Sequence, residues 1–276
     1  MSAIADLAEN RVVEGTYAVA RKERRRTRTG SDYLALELVD PSGKIEARVW
    51  NDVELLDSRF GEGDAVRVLG RVDRFRDRLQ LEVRALEPAE GQDAAELTPA
   101  LRRDADELDG FLDFLGGEVS HAGLRTLTGR FLADERFRTR LRELPASPEL
   151  HHAYAGGLLE HTVAVATLCR EAAQVHPRLR DDLLLTAAIV HDAGRTLELG
   201  RGPSFRPTEE GRLLGHVQLG IRLIEARADA LDRGVLAELV HAVAVHHDGR
   251  SARTAEAAVL YHANQLDAVA ATKPAD

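Results

Sequence analysis

Residues 33–50 read YLALELVDPSGKIEARVW. Leu34, Leu36 and Leu38 alternate with small or polar residues, and Ile45, Ala47 and Val49 do the same further on. A side-chain period of two is what a strand with one buried face requires. Between the two runs, DPSG at 40–43 puts proline and glycine where a tight turn wants them, so the stretch reads as strand, turn, strand. The same alternation recurs in VVEGTYAVA at 12–20, in AVRVLGRV at 65–72 (Val66, Val68, Val72) and in LQLEVRAL at 79–86 (Leu79, Leu81, Val83), with GEGD at 61–64 as further punctuation.

Five short strands in so few residues suggest a small closed barrel of the OB type, although an SH3-like barrel would give a similar pattern. PAEGQDAAELT, from Pro88 to about Thr98, is polar, contains proline and glycine, and reads as a linker. Beyond it the period changes to 3.6, in LDGFLDFLGGEV, LRTLTGRFLADERFRTRL, GGLLEHTVAVATLCREAA, DDLLLTAAIVHDAG, GHVQLGIRLIEARADAL and GVLAELVHAVAVHH, with no strand-like segment between them. The expected organisation is multidomain: an all-β five-stranded barrel over 1–90, a linker over 91–100 and an all-α bundle over 101–276. No internal repeat or low-complexity tract is evident.

The chain has 276 residues, 44% of them hydrophobic, which suffices for a sizeable core. A single cysteine, Cys169, excludes a disulfide framework and a thiolate zinc cage. There is neither an N-terminal apolar signal segment nor a run long enough to span a bilayer, so the expected compartment is the cytoplasm, with no membrane partner. The net charge of −9 argues against nucleic-acid binding by the whole surface while leaving room for a local basic strip.

Ten of the eleven histidines lie between His151 and His262, in the helical part. A lone histidine is more often a satisfied core or surface residue; the joint pattern says more. His161 sits mid-helix, His191 and Asp192 end an apolar helix, His216 opens GHVQLG, His246 and His247 close another helix, and Asp267 lies in NQLDAVA. A buried unpaired carboxylate is costly, so Asp192 needs a compensating partner. Imidazole nitrogens and carboxylate oxygens without sulfur suit two closely spaced divalent ions, manganese foremost, with iron, cobalt or zinc as alternatives.

The order H…HD…H…H…D resembles the HD-domain metal-dependent phosphohydrolases. HHAYAGGLLEHTVAVA, LLLTAAIVHDAGRTLEL, EEGRLLGHVQLG and LPASPELHHAY resemble the YhaM-type 3′-to-5′ exoribonucleases, in which an N-terminal OB-fold precedes an HD domain; YLALELVDPSGKIEARVWN fits their barrel. The resemblance spans about Val12 to Ala270. It implies hydrolysis of single-stranded RNA, with single-stranded DNA as a further candidate, to nucleoside monophosphates. It also implies that His161, His191, Asp192, His216, His246 and Asp267 are metal ligands, with His247 a substitute or additional candidate and Asp192 the bridge. Water activated between the ions would attack phosphorus. His151 and His152, beside Tyr154, would touch phosphate or leaving group rather than metal.

Where the family usually reads HDxGK, this chain has HDAGR. Arg195 keeps the charge near the phosphate and offers a bidentate fork, the alternative being an ion pair with Glu198. The segment after His247, DGRSARTAEA, is shorter than usual, and Asn264 stands where aspartate is common. Glu209 and Glu210 are candidate acceptors for a ligand histidine, or a capping pair. RKERRRTRTG at 21–30 carries six Lys or Arg against one Glu and is expected to be a loop between the first two strands, where Arg24, Arg25, Arg26 and Arg28 would meet phosphates. Arg74, Phe75, Arg76 and Arg78 form a second patch on a hairpin, Phe75 being suited to stack a base. Two other functions fit less of this: an HD-type phosphohydrolase or phosphodiesterase on nucleotides or cyclic nucleotides, and a binding module with a vestigial metal site. The sequence leaves the oligomeric state open.

Overall fold

The computed structural model of the protein describes residues 3–272. It divides into two compact units, one holding the residues through Ala100 together with 201–205, the other residues 101–200 and 206 onward.

The first unit is a closed barrel of β1 (Val12–Arg26), β2 (Asp32–Asp40), β3 (Gly43–Val49), β4 (Ala65–Phe75) and β5 (Arg78–Pro88), with a short helix α1 (Val53–Asp57) between β3 and β4. Around the barrel the order is β1-β2-β3-β5-β4, antiparallel throughout except for the parallel β3–β5 pair. This is the five-stranded OB arrangement, and the SH3-like alternative falls away. Leu34, Leu36, Leu38, Ile45, Ala47, Val49, Val66, Val68, Val72, Leu81 and Val83 all point into its core, as their alternation requires. The DPSG turn is held by Asp40, whose Oδ1 accepts the Ser42 and Gly43 N–H groups at 2.8 and 3.1 Å. Gly70 lets β4 bend over β5: a Cβ there would lie 2.6 Å from the Glu82 carbonyl.

Two expectations need adjustment. The basic strip is not a loop, because β1 continues to Arg26, paired with Asp32, and only residues 27–31 turn. Residues 94–97 of the expected linker form a 3-10 turn whose Ala94 and Leu97 are buried against Ala18, Ala20, Val39 and Ala65 of the barrel. Two apolar side chains in a polar stretch suffice to dock it.

The second unit is all helical: α2 (Ala105–Gly117), α3 (Ala122–Leu132), α4 (Glu135–Glu143), α5 (Gly157–Val175), α6 (Asp181–Val190), α7 (Arg195–Glu198), α8 (Glu209–Glu225), α9 (Arg233–Ala244) and α10 (Ala255–Thr272). α6 is apolar on every side from Leu183 to Val190 because α2, α3, α5, α9 and α10 surround it, and a helix apolar all round must be enclosed. The segment 124–141, read as one periodic run, is two helices. Asp134 ends the run by accepting the Arg136 and Phe137 N–H groups as the cap of α4. α10 escaped the periodicity reading because alanine dominates its faces.

Candidate metal centre and nucleic-acid interface

His191 and Asp192 follow the last turn of the enclosed helix α6, both at most 3% exposed. Four other elements deliver partners to this point: α5 brings His161, α8 brings His216, the end of α9 is followed by His246 and His247, and α10 brings Asp267. α8 breaks at Gly215 (φ 69°), so His216 begins a fresh helical run aimed at the centre. Gly194 permits that approach, since a Cβ there would meet the His216 carbonyl at 1.9 Å.

The ring orientations are fixed from behind. His191 Nδ1 donates to the Ala188 carbonyl (2.8 Å) and His246 Nδ1 to that of Val243 (2.5 Å), which leaves each Nε2 lone pair facing inward. Asp192 lies between two imidazole sets. Its Oδ2 is 3.7 Å from His191 Nε2 and 3.9 Å from His161 Nε2, while its Oδ1 is 3.4 Å from His216 Nε2 and 3.5 Å from His246 Nε2. Within the sets, His161 Nε2 and His191 Nε2 are 3.2 Å apart, and His216 Nε2 and His247 Nε2 are 2.9 Å apart. The accepting nitrogens of His161 and His191, whose Nδ1 atoms donate to Asp267 and to the Ala188 carbonyl, thus face one another. Asp192 Oδ1, His246 Nε2 and Arg195 Nε are buried without any hydrogen-bond partner.

Burial holds the His191 imidazole near pKa 3 and that of half-buried His151 near 4; His247, which reaches solvent, is brought near 3 by the desolvated part of its ring and by His246, so all three are neutral at pH 7, the form that ligates. Burial alone would push the Asp192 carboxyl up, but Arg195 and the imidazoles of His191 and His216 hold it well below its ordinary value. Imidazole nitrogens converging on an ionised, buried carboxylate with one orphaned oxygen fit divalent cations. Among the described residues, three groups of donor atoms come close enough to hold one: Asp192 with His216, His246 and His247; His161 with His191 and Asp192; and His152 with His161 and Asp267.

The third group differs from the sequence reading. Asp267 Oδ2 accepts from His161 Nδ1 (2.6 Å) and His152 Nε2 (2.8 Å), so its carboxylate lies behind the His161 ring. His152, expected to touch phosphate, instead faces Asp267. Its Nδ1 is 2.7 Å from the Tyr154 hydroxyl, which donates to Glu160 (2.6 Å), making a chain of four residues behind the first imidazole set. His151 remains at the mouth, half-buried, its ring 4.9 Å from that of His161.

Arg195 forms the ion pair with Glu198 (2.7 Å) that stood as its alternative role, yet its Nε keeps no partner and lies 3.8 Å from Asp192 Oδ1. Glu198 also accepts the His216 backbone N–H (3.2 Å) and lies 3.5 Å from His216 Nδ1. It therefore orients this histidine, the task expected of Glu209 or Glu210. Glu210 instead pairs with Arg222 on the surface, and Thr208 caps α8. Only the three-residue spacing from Arg195 hinted at Glu198. Asn264 donates to the His246 carbonyl (3.2 Å), tying α10 to the ligand turn.

On the barrel, the strip residues are largely engaged with one another: Arg24 with Asp32 (2.7 Å), Arg25 with Glu23 (2.6 Å), and Arg26 with the Gly30 carbonyl, while Arg28 stands exposed in the turn. Arg74 pairs with Glu9 (3.0 Å). A more open face joins Phe75 and Arg76 of the expected second patch to Tyr33, Arg48 and Trp50, which the sequence did not single out. Tyr33 and Trp50 stack at 4.7 Å, the Arg48 guanidinium lies over Phe75 (4.7 Å) and near Tyr33 (5.7 Å), and Arg76 covers Phe75 from 5.3 Å. Trp50 is 39% and Phe75 46% exposed, so their rings are offered to solvent. The signal was the single tryptophan of the chain, one residue beyond a strand whose register puts it opposite Tyr33.

An OB-fold barrel is followed by a helical bundle that gathers H, HD, H, H and D, the donor order expected of an HD domain. Family models agree: "HD domain" matches residues 158–269 and "OB-fold nucleic acid binding domain" residues 18–89, with "Putative helicase" matching 128–178 inside the helical unit. Among curated proteins, the chain is 29% identical over 223 residues to 3′-5′ exoribonuclease YhaM of Listeria monocytogenes serotype 4b, covering 79% of this chain and 71% of that one. It is 28% identical over 250 residues to the protein of the same name from Bacillus subtilis, covering 87% and 79%. The YhaM-type resemblance read from the sequence is thereby borne out. Among solved structures, the second OB-fold domain of replication protein A from Methanococcus maripaludis matches at 23% identity and TM-score 0.28, over 33% of this chain and 96% of that one.

Proposed function

We propose that the chain is a metal-dependent 3′-to-5′ exoribonuclease that hydrolyses single-stranded RNA to nucleoside monophosphates. One observation carries the catalytic half of this reading: each oxygen of the buried Asp192 carboxylate faces its own set of imidazoles. We assign His161, His191 and Asp192 to one divalent ion, and Asp192, His216, His246 and His247 to a second. Asp267 serves the first ion, as a ligand according to the resemblance and through the His161 ring according to the geometry. The nitrogen and oxygen donors favour manganese, with iron, cobalt or zinc able to substitute.

Two such ions supply a water nucleophile at neutral pH and stabilise charge on the phosphoryl oxygens. The chain's own residues do the rest. Desolvation keeps the His191 and His247 imidazoles neutral and ready to ligate. Glu198 and the carbonyls of Ala188 and Val243 set their orientation. Arg195, anchored through Nη1, holds its buried Nε toward the centre, where an N–H donor can meet a phosphate oxygen. His151, neutral and at the mouth, suits a contact with the phosphate or the leaving group.

The barrel favours a polymeric substrate over a free nucleotide or cyclic nucleotide, because an exposed Tyr33–Trp50 stack beside Arg48 and Phe75 offers π-faces and positive charge to successive bases. RNA is preferred to DNA on the names of the relatives. The free, buried Cys169 accords with work in the reducing cytoplasm. No helix among the described residues is long and apolar enough to cross a membrane. The test is incubation of the purified protein and Mn²⁺ with 5′-labelled single-stranded RNA. A ladder shortening from the 3′ end, with release of nucleoside 5′-monophosphates, is expected; internal cuts or intact RNA would refute the reading.

A further inference from the structure

The short segment after His247 has no role in the mechanism above. In the structure it borders a groove of about 490 Å³ walled by His247, Asp248, Gly249 and Arg250 and, from α10, by Tyr261 and His262. His247 belongs both to this groove and to the donor cluster around Asp192, so the groove borders the candidate metal centre. Its volume falls within the ~300–1,000 Å³ of sites that enclose small molecules. That is the scale of one nucleotide unit rather than of a strand.

The walls are held in place. Asp248 uses its two oxygens within the turn, Oδ1 accepting the Arg250 N–H (3.1 Å) and Oδ2 the Ser251 hydroxyl (2.6 Å). Its negative charge is thus tied up locally, while the Arg250 side chain stays exposed. Gly249 lets the Tyr261 ring lie directly on the backbone, since a Cβ there would come within 2.6 Å of the ring. The exposed His262 ring meets that of Tyr261 edge-on, at 5.0 Å and 71°.

We infer that this groove receives the 3′-terminal nucleoside of the substrate, its base against Tyr261 and His262 and its ribose beside Arg250. The inference rests on the exoribonuclease reading: an enzyme that removes one nucleotide at a time must hold the terminal residue next to the phosphate under attack. An aromatic wall accepts any base, because every base has a π-face, so trimming proceeds without regard to sequence. The released 5′-monophosphate fits the same groove and competes with substrate.

The test compares binding of 5′-AMP and of inorganic phosphate to the full-length, Mn²⁺-loaded protein by calorimetry. Wild type is expected to prefer AMP. Tyr261→Ala should lower the AMP-to-phosphate affinity ratio about 10-fold, within the range for loss of one base stack. Tyr261→Phe should restore it, and Arg250→Ala, at an exposed position that leaves the fold intact, should lower it several-fold. A wild type without preference for AMP, or an unchanged ratio in both Tyr261→Ala and Arg250→Ala, would overturn the inference. Neither result depends on RNA cleavage, so failure of the exoribonuclease reading would show separately, as RNA left intact by wild type.

Discussion

Asp192 is legible as a problem in the sequence and as a solution in the structure. The pattern HD after an apolar run says that a carboxylate is buried; only the structure says that its two oxygens look in opposite directions. Arg195 is the neighbour whose role is most open to measurement. If its free Nε meets a phosphate oxygen, Arg195→Ala should lower kcat/KM about 100-fold, the usual effect of removing one preorganised donor, and Arg195→Lys should retain much of the activity. Unchanged kcat/KM in the alanine variant would reduce Arg195 to the ion pair with Glu198. Tyr154→Phe removes a hydroxyl from the chain behind His161 without touching a ligand. It should weaken Mn²⁺ binding roughly 10-fold, as loss of an outer hydrogen bond to a metal site does, and equilibrium dialysis would read it. His152 could not be assigned from sequence because adjacent histidines look alike there; its position behind Asp267 depends on a left-handed turn (φ 45°) that no local pattern announces.

At the scale of elements, the alternation of 33–50 and the enclosed helix α6 were both readable, because burial of one face, or of all faces, writes itself into hydrophobic spacing. Extent was less readable. β1 runs on through a charged stretch because its pairing with β2 is held by backbone hydrogen bonds and by ion pairs such as Arg24–Asp32, which hydrophobicity does not report. This changes the expected RNA path. Trp50→Ala and Arg48→Ala should each weaken single-stranded RNA binding more than Arg24→Ala or Arg25→Ala, whose guanidinium groups already have carboxylate partners; fluorescence anisotropy across a salt series would rank them. On the helical side, Gly194 lets the backbone of α8 pack against the turn after His191 and Asp192. Gly194→Ala should cost about 1–3 kcal/mol of stability through overpacking, and should lower metal content too, because His216 moves with α8. A variant with wild-type melting temperature and metal content would contradict that packing.

For the molecule as a whole, three histidines whose pKa values are lowered on folding make the metal-free protein acid-sensitive. His191 and His247, near 3, and His151, near 4, take up protons less readily folded than in the unfolded chain, where the ordinary value is 6.5. Below pH 6.5 the unfolded state therefore binds more protons, and stability falls steadily as pH drops from about 6.5 toward 4. Urea midpoints measured at pH 7.5 and 5.5 should be lower at the acid value, and Mn²⁺ should raise both midpoints without removing the difference, because the folded imidazoles are already unprotonated at either pH. The claim on which the rest depends is that Asp192 bridges two ions, and elemental analysis of metal per chain, with circular dichroism as a check on folding, tests it most directly. Wild type should hold two Mn²⁺, His216→Ala about one, and Asp192→Ala close to none, with helical content kept in all three. One ion in wild type, or two retained by folded Asp192→Ala, would contradict the account.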